Sequence, residues 1–108
     1  MKELIQQLND LNIRQESIDF CEDLPQDIYE KWFEGNEVDN QLDVDKHRWY
    51  ETSISVFRID DAPISPSYLG VCSITDVVGE NNCVEDMYHT LEFFEMEPII
   101  TTTYKIKK

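Results

Sequence analysis

The apolar residues of this chain keep a helical period near its start and a strand-like period in its middle. Leu4, Ile5, Leu8 and Leu11 fall at i, i+1, i+4 and i+7, one stripe of a short amphipathic helix over 2–11. A helix this short is marginal in water, so the stripe must dock on an apolar surface. Ser17 to Leu24 repeats the pattern more weakly, with Ile18, Cys21 and Leu24 three apart. Leu24 to Gly35 is the clearest helix of this half: Pro25 suits a first helical position and Gly35 a stop, with Ile28, Tyr29, Trp32 and Phe33 on one side.

From His47 to Ile59 the chain is rich in β-branched and aromatic residues and free of Gly and Pro, which predicts a long strand on which the fold is built. Tyr50, Thr52, Ile54 and Val56 share one face; Glu51, Ser53 and Ser55 point the other way, and Trp49 and Phe57 interrupt that polar face. Either the polar face is covered at both ends or a bulge shifts the register. Ser67 to Val78 predicts a second strand, antiparallel to the first, in which Gly70 marks a bulge or a close backbone approach.

Asn82 with Glu85 three residues on makes a capping box, and Val84, Met87, Tyr88, Leu91 and Phe94 form the stripe of a helix that Pro98 ends. On that helix His89, Phe93 and Met96 fall away from the stripe. They form either a second small core under the N-terminal helices or a partner or homodimer contact. Ile100, Thr102, Tyr104 and Ile106 alternate with Thr101, Thr103, Lys105 and Lys107, a half-exposed closing strand. The expected fold class is α+β, a single domain over 1–108. It divides into a helical acidic lobe (1–35), an acidic linker (36–46) and a mainly antiparallel β-β-α-β unit (47–108).

Charge changes this picture more than composition does. The chain of 108 residues has a formal net charge of −14. From Glu16 to Asp45 there are eleven acids against Lys31, a net of −10, which leaves −4 for the rest. Such a balance excludes direct binding to nucleic acid or anionic membrane and calls for a basic protein partner. Asp27, Glu30 and Glu34 stand at i, i+3 and i+7 on the helix side opposite the aromatic residues, and Glu22, Asp23, Glu37, Asp39, Asp43 and Asp45 extend the acidic region around them. One reading is a solvated face followed by a flexible arm. The other is a phosphate mimic, because carboxylates one helical turn apart are ~5–6 Å from each other, on the scale of neighbouring phosphates.

Candidate chemistry is sparse. Asp39, Asp43 and Asp45 lack the register and closing Glu of a calcium loop, so no metal and no cofactor is expected. Cys21, Cys72 and Cys83 are odd in number and widely spaced, which predicts reduced, buried thiols rather than disulfides or a zinc site. No catalytic motif is present, and the expected protein is not an enzyme. Lacking a signal peptide or an apolar span, it is expected in the cytoplasm.

Arg48-Trp49-Tyr50-Glu51, Leu69-Gly70-Val71, Phe93-Phe94-Glu95-Met96-Glu97 and Thr103-Tyr104-Lys105 resemble segments of small phage and plasmid proteins. In size, acidity and layout the chain is similar to anti-CRISPR proteins that inhibit Cas9. The resemblance implies an inhibitor of a CRISPR effector that blocks guide RNA loading or DNA binding. It brings no catalytic signature. The alternative is a non-catalytic interaction or regulatory module using an apolar patch around Phe93.

Overall fold

A computed structural model describes residues 2–59, 67–80, 82–98 and 106–107. Helix α1 spans Lys2–Asp10 and turns its apolar stripe inward, with Leu8 fully buried and Leu4 and Ile5 packed on the same core. A 3₁₀ turn, Phe20–Asp23, replaces the weak second helix; the Asp19 carboxylate caps it by accepting the Cys21 N–H at 3.1 Å. Helix α2, Gln26–Ile28, runs directly into a π turn, Tyr29–Phe33, in which the Glu34 N–H reaches back to the Tyr29 carbonyl at 2.8 Å. Pro25 stands one position before its expected place, as the N-cap. Gly35, at φ +74°, provides the left-handed stop that its sequence position suggests.

The remaining chain forms one antiparallel sheet in the order β1-β2-β3-β4, from β1 (Glu37–Lys46), β2 (Tyr50–Arg58), β3 (Tyr68–Val77) and β4 (Glu92–Met96). The fold is α+β, as the sequence implies. β2 lies inside the sheet, paired on both sides, and Phe57 near its end is the centre of the core. The Phe57 ring meets Phe33 edge-on at 4.8 Å and Phe20 at 6.0 Å, and Phe33 in turn meets Phe93 at 6.2 Å. The face that carries Ser53, Ser55 and Phe57 is therefore the one beneath the N-terminal helices, and its serines are buried rather than solvated. An irregularity does occur near one end of the strand: Glu51 pairs with Asp76 and Thr52 with Ile74, leaving Thr75 without a partner in the ladder.

Two further expected elements differ. The 36–46 segment is not a linker, because β1 occupies 37–46 on the outer edge of β2. It hides from pattern reading because three register shifts break its alternation, Gln41 and Asp43 take positive φ, and only Leu42 is half-buried. The expected helix over 82–97 is instead a 3₁₀ turn, Val84–Met87, followed by β4. Tyr88 adopts φ +53° and ends the turn, and from Leu91 the burial has a period of two, with Leu91 and Phe93 inside and Glu92 outside. Asn82 does not cap this turn; its amide donates to the Val78 carbonyl at 2.6 Å. The β-β-α-β order is thus replaced, within the described residues, by a four-strand meander. Most of the expected closing strand, 99–108, lies outside the described residues.

The two edges of the sheet are treated differently. Along β4 the Asn9 amide donates to the Phe93 carbonyl and accepts from the Phe93 N–H, both at 2.9 Å. Further along, the Leu91 N–H donates to Ile13 and the Gln15 N–H to His89, each at 2.8 Å. Arg14 also reaches the Glu85 carbonyl. Asn9 of α1 and residues 13–15 after it thus occupy the outer edge of the chain from His89 to Phe93, whereas among the described residues β1 leaves its outer edge open. Gly70 is a close approach, not a bulge: its pairing with Val56 and Phe94 is regular, and an added Cβ would overlap the Phe94 ring and lie 2.7 Å from Met96 Cγ. Gly70→Ala should cost about 1–3 kcal/mol, read as a lower urea midpoint. An unchanged midpoint would mean that the Phe94 ring moves away freely.

Candidate acidic interface

The exposed acids from Asp27 to Asp45 lie on the segment that leads from α2 into the edge strand β1. The α2 and π-turn segment buries Phe33 and packs Ile28, Tyr29 and Trp32 on the core. This orients Asp27, Glu30 and Glu34 to solvent, and all three are exposed. The π turn widens the step from four residues to five, so Glu30 and Glu34 do not stack as in a regular α-helix. The expected straight row becomes a splayed cluster, with Glu30 also accepting from the Gln26 amide at 3.0 Å.

Beyond Gly35 the chain turns into β1. The Asn36 carbonyl accepts from Arg58 N–H at 2.9 Å, anchoring the start of the edge strand. Glu37, Asp39, Asp43 and Asp45 are all exposed along it. Glu37 accepts from the Asn40 side chain and Asp39 from the Asn40 backbone, both at 2.8 Å. Asp45 lies 3.5 Å from His47, and Lys46 lies 3.9 Å from Glu51. These pairs are largely solvated and hold little energy, so the carboxylates remain available to a stronger cation. Glu22 is exposed on the 3₁₀ turn.

Asp23 does not belong to this surface. It is half-buried, and one carboxylate oxygen accepts from the Glu16 and Ser17 N–H groups at 3.0 and 2.9 Å, which makes it a structural anchor. The expected contact group of His89, Phe93 and Met96 is not one patch. Phe93 is 3% exposed and sits in the main core, so neither a second core nor a contact surface describes it. His89 is half-buried with Nε2 3.1 Å from the Cys72 carbonyl, and Met96 is half-buried beside Gly70.

The thiols offer no chemistry to this face. Burial, reinforced by the Asp19 carboxylate, pushes Cys21 up to about 12. Burial, then Glu92, raises Cys72, and a hydrogen bond to Asp86 raises the exposed Cys83. Cys21 and Cys72 are half-buried rather than fully enclosed. Protonated thiols are poor nucleophiles and poor metal ligands. Among the described residues no group of three or more His, Cys, Asp or Glu could hold a metal ion, and no helix is long and apolar enough to cross a membrane.

No protein-family model matches the chain, and no curated protein or solved structure matches it. The chemistry of the site therefore rests on its own geometry. A second polar feature lies beside that edge, on the covered face of the sheet. Ser53, Ser55, Ser73 and Thr75 form a hydroxyl floor on the helix-covered face of β2 and β3, under the 3₁₀ turn and β1. The signal for it was in the alternation: Ser53 and Ser55 share their face with Phe57, so a buried Phe57 implies buried serines.

Proposed function

We propose that this protein is an acidic inhibitor that occupies the nucleic-acid-binding surface of a basic protein partner, and that Cas9 is the first partner to test. The observation that carries the reading is the open sheet edge. From Asp27 to Asp45 seven exposed carboxylates stand against Lys31, a net of −6 on one connected segment, whereas the opposite edge is occupied from His89 to Phe93 by Asn9 and residues 13–15. Carboxylates on a folded edge compete with phosphates for Lys and Arg without the cost of ordering a flexible arm. Effector channels that hold guide and target strands are strongly positive. The reading gives no residue a catalytic role. A module built on an apolar patch around Phe93 is disfavoured, since that ring is inside the core.

The experiment is capture of purified Cas9, with and without guide RNA, at low and high salt. Reversal of Asp27, Glu30 and Glu34 together to Lys should weaken capture at low salt by about tenfold or more while the fold persists, because all three are exposed. Loss of capture on prior RNA loading would mark competition for the guide-binding surface; capture of the loaded complex alone would mark the DNA groove. Undiminished capture by the triple variant would refute the carboxylate mechanism, and no capture under any condition would refute Cas9 as the partner.

A further inference from the structure

The serine-floored trough between the 3₁₀ turn and β1 has a volume of about 290 Å³, near the lower end for small-molecule sites. Ser53 and Ser73 face each other across the β2–β3 ladder, with Ser55 and Thr75 beside them. Ser53 is 1% exposed, and its Oγ has no hydrogen-bond partner among the described residues. A buried hydroxyl left unpaired is costly, and it stands in the floor of an open trough. The rim carries Asp19 and Glu37, both exposed; Asp19 Oδ1 accepts from the Cys21 N–H and Glu37 Oε1 from the Asn40 side-chain amide. Ile18 and Phe20 supply an apolar wall. Among the described lining residues there is no Lys, Arg or His; beside the carboxylates and hydroxyls stand only the neutral amides of Asn40 and Gln41, so the charge of the trough is wholly negative.

The geometry points to a binding site for a single arginine side chain of the basic partner, its guanidinium on the Ser53, Ser55 and Ser73 hydroxyls between Asp19 and Glu37. A guanidinium carries five donors and no acceptor, which suits a floor of hydroxyl oxygens and a carboxylate on each side. It is also more weakly hydrated than an ammonium, so it enters an enclosed trough more readily than lysine does. Its aliphatic stem would lie on Ile18 and Phe20. The site deepens the acidic-edge reading and rests on it for the source of the arginine, yet uses none of Asp27, Glu30 or Glu34.

The test is a titration of the full chain with N-acetyl-arginine amide, followed residue by residue by amide NMR. Saturable shifts are expected at Ser53, Ser55, Ser73 and Thr75, with the uncharged citrulline analogue at least tenfold weaker and the lysine analogue in between. Glu37→Gln changes an exposed residue and should weaken the arginine probe several-fold. Ser53→Val should weaken it about tenfold with the spectrum otherwise preserved. Equal affinity for the citrulline analogue, or shifts that grow linearly along β1 while Ser53 and Ser73 stay fixed, would overturn the site. The Asp27, Glu30 and Glu34 reversal should leave this titration unchanged, so failure of the trough and failure of the acidic edge are separable.

Discussion

Phe93→Ala should destabilise the protein by about 3–5 kcal/mol, the range for truncating a fully packed phenylalanine. The ring is 3% exposed, meets Phe33 at 6.2 Å, and stands on β4 opposite Val71, which is itself fully buried. Its backbone is also held, because both the N–H and the carbonyl of Phe93 bond to the Asn9 amide. Truncation would leave a void between the strand and α1 that a two-point backbone anchor prevents from collapsing. With total stability of about 5–15 kcal/mol for a domain of this kind, the variant should be largely unfolded at temperatures where the parent is native. Phe93→Leu should recover most of the loss. Equilibrium urea unfolding measures both; a change below about 0.5 kcal/mol for Phe93→Ala would place the ring outside the core and break the β3–β4 register.

Legibility followed how strongly each segment's pattern was tied to a single period. The α1 stripe was readable from its helical spacing, and β2 and β3 from their wealth of β-branched and aromatic residues. The 82–97 segment carries both periods: Val84, Met87, Tyr88, Leu91 and Phe94 fit a helix, while Leu91 and Phe93 fit a strand. Tertiary contacts decide between them. Residues 13–15 bond to the 89–91 backbone, and β3 offers a free edge to β4, so the strand gains partners that an isolated helix would lack.

β1 was illegible for a different reason. An edge strand that is exposed on both faces has no burial pattern to display, and its acids resemble those of a disordered arm. Its carboxylates and bulges are what discourage a further strand from adding to the open edge. The acidic character of the candidate site was therefore readable, but its rigidity was not. The serine trough was readable only in part, since the face of Ser53 and Ser55 follows from alternation whereas the covering 3₁₀ turn and β1 come from distant or irregular segments. Asp23 counted as one more surface acid because sequence gives no sign of the two backbone N–H groups that it bonds.

Gln15→Leu should cost about 2–5 kcal/mol although it replaces one residue by another of similar volume and greater hydrophobicity. Gln15 is fully buried, and its amide completes the β3 edge beyond the point where β4 stops. Its Oε1 accepts from the Ile74 N–H at 2.7 Å, and its Nε2 donates to the Ile74 carbonyl at 3.0 Å and to Ser17 at 2.9 Å. Ile74 is itself fully buried, so leucine at 15 would strand an N–H and a C=O away from water at about 1–3 kcal/mol each. Gln15→Glu separates the hydrogen-bond effect from packing through its pH dependence. The carboxylate keeps the bond from Ile74 N–H but turns a second oxygen toward two carbonyls, and burial further disfavours the charge. Its folded-state pKa must then lie above the unfolded value of about 4.3. The variant's stability relative to the parent is fullest below about pH 4.3, where the protonated acid can donate as the amide did. It is lost as the pH rises through the folded value. Urea midpoints of parent and variant compared at matched pH test this; a gap that stays constant from pH 4 to 8 would show that the Gln15 side chain does not make these bonds.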